Sequence, residues 1–564
     1  MNSKHRALIL FGSLLVPLAA GAVEDAGQLE KRFERPPEPK ATLKPLVFPI
    51  DERQPPEQAG QIRFVLKGLR LSGNSAIPTA ELAPLWADLL DREISLLDIY
   101  RLRDAITARY GNAGFGLSKA IVPVQRIQAD GIVQIDVLEG FIDEVIVEGD
   151  ADEALASARE FLDHAIAILK AERPANAKTL ERYLLLANDR FSIKLTSTLK
   201  ASDKTPGAST LLLKVEKAPA VKGGASIDNR GTDAVGPWQI NANVVWNGAF
   251  GRPAQLAVSH ATVEQHRELQ YWTLGYTEII AHEGAALALN WSASTSEPGT
   301  PALHLLDNRS KSETWSLRLS HPFVRTRQEN LTAHAKLEHK KTENRSLGAV
   351  TSADTLKSLR LGLNYDKADA WEGVNQVLVE LSTGLGGMSN DYALKSRADG
   401  RVDYNKLTVN LSRNQQLGYF SSDLAKWSVN AALMGQHSPG GLLSGEECGV
   451  GGQQFGRAYD SSEITGDSCL AASLELRYAM ATYGTPFKYA QFYGFYDGGS
   501  VRNKNPLSAT DPIQKSLSSA GFGWRFGIGQ YLTGSIEATQ PLTRIVANEG
   551  NKKPRVFTNL SVRF

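Results

Sequence analysis

The sequence predicts a mainly β protein: a sixteen-stranded transmembrane β-barrel preceded by two α+β modules and an N-terminal helix on a Pro-rich linker. Three observations predict it. Apolar and polar residues alternate with period two from Val221 to the C-terminal Phe564, the pattern of strands whose two faces meet different surroundings. The chain opens like an exported protein, yet no later segment reaches about 18 continuous apolar residues, so a membrane passage falls to strands closed into a barrel. Ahead of the alternation, the order strand–helix–helix–strand–strand occurs twice in tandem.

Composition narrows the functions. The 564 residues hold 62 Lys+Arg against 61 Asp+Glu, a net of +1, so no charge excess draws nucleic acid. A mean hydropathy of −0.25 argues against a helical membrane protein. It does not argue against a barrel, where outward apolar and inward polar residues cancel in the average. No Walker loop, His-Glu-x-x-His or Gly-x-Ser-x-Gly is present. The ten histidines are scattered over polar-face and turn positions. No catalytic residue, cofactor or metal is expected, and the protein reads as a non-enzyme.

The elements follow in chain order. Lys4 and Arg6, the apolar stretch Ala7 to Leu18 and the small-residue site Ala20-Gly21-Ala22 read as a signal peptide over residues 1–22, with an uncleaved anchor as the alternative. Residues 23–35 read as a short helix capped by Asp25 and carrying Gln28, Leu29 and Phe33. Residues 36–61 are a Pro-rich linker with little to bury, expected to be extended. A helix on a long tether suits a movable plug, and a disordered leader fits the same residues. In residues 62–139, strands are expected at Ile62 to Leu66, Ala120 to Pro123 and Ile132 to Val137. Helices are expected at Ala80 to Leu90 and Leu96 to Tyr110, and a turn at Ser72-Gly73-Asn74. In residues 140–217, strands are expected at Ile142 to Glu148, Ser192 to Lys200 and Thr210 to Val215, with helices at Glu153 to Leu169 and Ala177 to Asn188.

Residues 218–564 carry the alternation. Trp238, Ile240, Ala242, Val244 and Trp246 share one face, opposite Gln239, Asn241 and Asn243. The last segment sets Val556, Thr558, Leu560, Val562 and Phe564 against Phe557, Asn559, Ser561 and Arg563. Sixteen such segments can be marked, an even number as bacterial barrels require. A soluble β-sandwich would alternate too, but here the polar faces carry Arg, Lys, Glu and His, as a wet lumen does.

The gap from Gln436 to Cys469 falls between the eleventh and twelfth segments, which makes it the sixth surface loop if both barrel termini are periplasmic. It carries Phe455-Gly456-Arg457-Ala458-Tyr459-Asp460. The thirteenth segment carries Phe495, Asp497 and Gly499, with Asp497 opposite the lipid-facing Phe492 and Tyr496. A guanidinium confined in a barrel must be solvated or matched, and a carboxylate is its best planar partner. An Arg457–Asp497 ion pair is therefore expected; the alternative is an exposed loop arginine with no fixed partner. Cys448 and Cys469, the only two cysteines, are both placed in this loop. In an oxidising compartment a disulfide is the natural reading, with two free thiols as the alternative.

These residues resemble the two sequence marks of the outer-membrane protein-translocation superfamily, Arg-Gly-Tyr/Phe in the sixth loop and Phe-x-Asp-x-Gly on the wall. Ala458 stands where the motif has glycine. Leu71-Ser72-Gly73-Asn74, Pro123-Val124-Gln125, Glu139-Gly140-Phe141-Ile142 and Leu186-Ala187-Asn188-Asp189 are similar to landmarks of POTRA domains, with Arg190-Phe191 where Pro-Gly is usual. With the plug-type helix, the chain resembles two-partner secretion transporters (TpsB, type Vb). The resemblance implies an outer-membrane location, POTRA domains in the periplasm and a loop folded from the surface side into the lumen. It also implies nucleotide-independent export of a large β-helical TpsA-type exoprotein of the adhesin or haemolysin class. Implied partners are outer-membrane lipid, periplasmic chaperones and the barrel-assembly machinery, which reads a terminal strand ending on Phe. A barrel-protein insertase of the same superfamily and a passive porin are the alternatives.

Overall fold

In the computed structural model the described residues are 26–34, 36–44, 54–127, 130–149, 152–205, 207–388, 394–505 and 512–564. The expected leader, residues 1–22, lies outside them, as do Asp25 and Arg35. Among the described residues no helix is long and apolar enough to cross a membrane.

Sixteen antiparallel strands close into a barrel, running from Val221–Asp228 to Arg555–Arg563. On the second strand, Gln239–Asn247, Ile240, Val244 and Trp246 are exposed while Gln239 is buried, so the alternation of the sequence becomes the two faces of the wall. The sixth to eighth strands, Arg309–Arg325, Glu329–Ser346 and Ala349–Ala368, have 17, 18 and 20 residues. About 9–11 residues suffice to cross a bilayer, so these three stand out beyond the apolar band. The sixteenth strand pairs with the first from Asn559↔Asp228 to Arg563↔Gly224.

Two α+β modules precede the barrel. In the first, Ile132–Leu138 is the central strand, parallel to Gly68–Ser72 and antiparallel to Lys119–Ile121. Helix Leu96–Asn112 starts at a capping box formed by Ser95 and Asp98 and buries Ile99, Leu102 and Ile106 against that sheet. In the second, Ala208–Lys217 lies between Phe141–Gly149 and Ile193–Ala201, and helices Asp152–Ala171 and Ala177–Asp189 cover one face.

Three expectations need correction. Ala80 to Leu90 is not one helix: Thr79–Leu82 is α-helical, followed by separate 3-10 turns at Ala83–Leu85 and Ala87–Leu89. Pro84 is the cause, since it has no N–H to donate and its ring crowds the carbonyl of Ala80. Gly68–Ser72 is a sheet strand, so Ser72 ends a strand rather than opening a turn. The linker is not extended throughout: residues 57–61 form turns, in which the Ala59 N–H donates to the Pro56 carbonyl and the Gln61 N–H to the Gln58 carbonyl, each at 2.9 Å. Residues 36–44 lie along the barrel mouth, where Ala41 N–H donates to Asp366 at 2.7 Å and Gln376 Nε2 donates to the Pro37 carbonyl at 3.0 Å.

Ion pairs join the second module to the barrel. Arg325, at the end of the sixth strand, meets both carboxylate oxygens of Asp189 at 2.7 and 2.9 Å. Arg182 donates to Glu283, in the turn after the fourth strand, at 2.9 and 3.2 Å.

Candidate functional site: the Arg457 cluster and the segments inside the barrel wall

The connection between the eleventh strand, Trp427–His437, and the twelfth, Ser468–Ala479, holds a small hairpin, Cys448–Val450 with Ile464–Gly466. Its tip turns on glycines at positive φ: Gly451 (128°), Gly452 (91°) and Gly456 (80°). A Cβ on Gly456 would also stand 2.5 Å from Leu517 Cδ1. Ala458 is not among the positive-φ residues, so alanine in the motif's glycine position carries no backbone strain. It is fully buried, in a cluster with Val450, Phe455, Tyr459, Ile464 and Leu517. The Tyr459 hydroxyl donates to the Arg544 carbonyl at 3.2 Å and accepts from its N–H at 3.0 Å. Asp460 accepts from Arg555 at 2.8 Å and from Asn548 at 2.9 Å.

Arg457 faces the polar inner side of the wall. Its Nε lies 2.9 Å from Asp497 Oδ2, and its own backbone N–H donates to Asp497 Oδ1 at 3.3 Å. Ser519 donates to the same oxygen. The guanidinium sits 3.9 Å over the Phe495 ring, and its Nη2 donates to Ser473 at 3.0 Å. Gly499 lets strands approach here, since a Cβ on it would stand 2.7 Å from Ala471 Cβ.

The expected pair is one edge of a larger network. Arg457 Nη1 lies 2.5 Å from Glu475 and 3.5 Å from Glu537. Glu475 also holds Arg477 at 2.6 Å and Arg525 at 2.8 Å, while Glu537 holds Arg230 at 2.5 Å and the Tyr493 hydroxyl at 2.8 Å. Sequence reasoning missed Glu475 and Glu537. The available signal was parity: both occupy inward positions, and Glu475 stands directly opposite Phe495 in the strand register.

Cys448 and Cys469 form a disulfide. Placing both in the loop needs correction, because Cys469 is the second residue of the twelfth strand and pairs with Gln436 and Val501. The bond therefore ties the loop to the wall rather than to itself.

A second segment lies inside the wall. Helix Ala26–Leu29 is buried against the fifth to seventh strands, and in the 3-10 turn that follows, Glu30–Arg32, Glu30 is buried while Lys31 and Arg32 are half-buried. Leu29 packs on Val263 and Leu269, and Phe33 stacks on Tyr271 at 4.7 Å. Gln28 donates to the Ser444 carbonyl and accepts from Ser462 at 3.1 Å, so helix and loop touch directly. Glu30 accepts from Ser292 at 3.1 Å and Thr314 at 3.0 Å and lies 3.4 Å from Lys340. Lys31 donates to the Glu447 carbonyl, and burial pushes its ammonium down to about 7, with Lys406 and Lys340 adding to the shift. Beside it, Glu446 on the loop meets Arg360 and Lys406, each at 2.7 Å. These charged wall residues were missed too, because nothing in the alternation distinguishes them from other inward polar positions.

Comparison with known proteins bears on this arrangement. A family model described as haemolysin secretion/activation protein ShlB/FhaC/HecB matches residues 207–526, and one described as POTRA domain, ShlB-type, matches residues 64–140. The chain is 22% identical to the heme/hemopexin transporter protein HuxB of Haemophilus influenzae (strain 86-028NP), over 93% of this chain and 92% of that protein. It is 22% identical to the outer membrane transporter CdiB of Dickeya dadantii, over 72% and 70% of the two chains. In fold it is similar to CdiB from Escherichia coli, with a TM-score of 0.70 and 19% identity over 93% and 94% of the two chains.

Proposed function

The chain belongs to the haemolysin secretion/activation protein family ShlB/FhaC/HecB, outer-membrane transporters of two-partner secretion, and from that footing we propose how it moves its cargo. An unfolded exoprotein of the adhesin or haemolysin class reaches the POTRA modules in the periplasm. It adds as a strand to an open sheet edge, where main-chain hydrogen bonds supply affinity. In the second module the edges are Phe141–Gly149 and Ile193–Ala201. Ala208–Lys217 is paired on both sides and offers none. The N-terminal helix then leaves the barrel, and the cargo threads past the loop, which enters the lumen from the cell surface. Folding outside prevents return, and no nucleotide is spent. In this reading residues 1–22 are the removed leader, residues 36–61 the tether, and residues 62–139 and 140–217 the two POTRA domains.

One observation carries the reading. Two segments of the same chain meet buried polar residues of a closed sixteen-stranded wall through side-chain hydrogen bonds and ion pairs, and not by sheet pairing. Such contacts release without opening the wall, and a passive pore has no need of them.

The test is the location of the cognate exoprotein in cells with the transporter present, absent or carrying Arg457→Ala. Surface or medium exoprotein only with the intact transporter is expected, with loss in Arg457→Ala at normal barrel levels. Unchanged export without the transporter, combined with failed assembly of other barrels, would replace this reading with the insertase.

A further inference from the structure

We propose that the periplasmic mouth of the barrel holds a binding site for an extended polypeptide main chain, filled at rest by the protein's own tether and taken over by the cargo once the tether leaves. The inference rests on the export reading above and locates one step of it.

The tether is held by its backbone. Between residues 36 and 44, the Pro37 carbonyl accepts from Gln376 Nε2 at 3.0 Å. The Ala41 N–H donates to Asp366 Oδ2 at 2.7 Å, and the Thr42 N–H donates to the Arg327 carbonyl at 2.7 Å. Side chains add a 3.6 Å approach of Lys40 to Asp189 and a 3.4 Å contact of Thr42 Oγ1 to that same carbonyl. None of the three shorter bonds reads a side chain, so another extended chain can make them.

The wall side is built in advance. Asp366 and Gln376 stand directly opposite each other on the eighth and ninth strands, and they are 2% and 6% exposed. One offers a carboxylate to an N–H and the other an amide N–H to a carbonyl, which complements a peptide backbone. Asn330 donates to Asp366 at 2.8 Å and accepts from Arg325 at 3.0 Å, and Arg325 is clamped on Asp189 of the second module. The acceptor is thus oriented by the same residues that join module to barrel. Ala41 is 7% exposed, so the site takes a small side chain at that point.

The probe is a fluorescein-labelled peptide of residues 36–44, read by anisotropy against detergent-solubilised protein. We compare the full mature chain, a variant lacking residues 26–44, and that variant with Asp366→Ala and Gln376→Ala. The shortened variant should bind at least about tenfold more tightly than the full chain, and the wall substitutions should reverse about tenfold of it, the loss expected for two hydrogen bonds. Carboxymethylated lactalbumin, permanently unfolded, should compete. A full chain carrying Ala41→Trp, with the wall untouched, should bind like the shortened variant, because the bulky side chain ejects the tether. Equal affinity for full and shortened chains, insensitivity to the wall pair, or no competition by the unfolded protein would each overturn the site. Binding is read without exoprotein or export, so failure here leaves the secretion reading standing. Export that does not depend on the transporter fails that reading alone.

Discussion

Arg457 Nη1 lies 2.5 Å from Glu475, nearer than the 2.9 Å between its Nε and Asp497. Glu475 also faces Arg477 and Arg525, so one carboxylate balances three guanidiniums. Glu475→Gln should therefore destabilise the loop's seat more than Asp497→Asn, which keeps an acceptor for Ser519 and the Arg457 N–H. Removing one partner of a dry ion pair costs about 3–5 kcal/mol, and lumen water reduces that. Urea titration of heat-modifiable mobility should rank Glu475→Gln below Asp497→Asn, and the reverse order would reject the network as drawn.

The disulfide bridges 21 residues between loop and wall. In the chain-entropy model, closing such a loop stabilises by about 3 kcal/mol. The Arg457 cluster holds the loop by separate contacts, to Glu475 on the twelfth strand and Asp497 on the thirteenth. Cys448→Ser with Cys469→Ser should lower the urea midpoint yet leave Arg457→Ala as damaging as before. If Arg457→Ala becomes silent without the disulfide, the two anchors are one.

Much of this was legible because a barrel writes itself as alternation: Ile240, Val244 and Trp246 face out as read, and Asp497 faces in beside Phe495 and Tyr493. What alternation cannot supply is register. That Glu475 rather than another inward acid meets Arg457 depends on pairings such as Ser473↔Asp497, which no local pattern encodes. Cys469 was misplaced for a related reason: a strand's first residues look like loop when a Gly- and Ser-rich run precedes them. The broken helix after Thr79 was readable, since Pro84 sits mid-pattern. The docked tether was not, because its contacts are made by backbone atoms that every residue type shares.

Seating of the N-terminal helix should depend on pH through Lys31. Burial holds its ammonium down to about 7 when docked, against the ordinary lysine value near 10.4 when the helix is free. The free helix thus binds more protons between those values. Docking strengthens as pH rises from about 7 to 10, by up to about tenfold per unit, and is flat below 7. In planar bilayers the open fraction should fall from pH 7 to pH 9. Lys31→Met should abolish that slope, and a slope that survives it assigns the proton elsewhere.

Helix and loop also meet glycine on glycine. A Cβ on Gly27 would stand 2.6 Å from Gly445 N and 2.7 Å from Gly445 Cα, both backbone atoms with no rotamer to yield. Gly27 is not at positive φ, so alanine there meets steric exclusion by the loop and no conformational strain of its own. Overpacking of this kind costs about 1–3 kcal/mol, comparable to a few of the helix's hydrogen bonds. Gly27→Ala should therefore free the helix and raise bilayer conductance and the entry of large antibiotics into cells. Gly111→Ala is the control, because a Cβ there meets nothing within 4 Å. Conductance unchanged in Gly27→Ala would mean that the loop retreats instead of the helix, and that the two segments move separately.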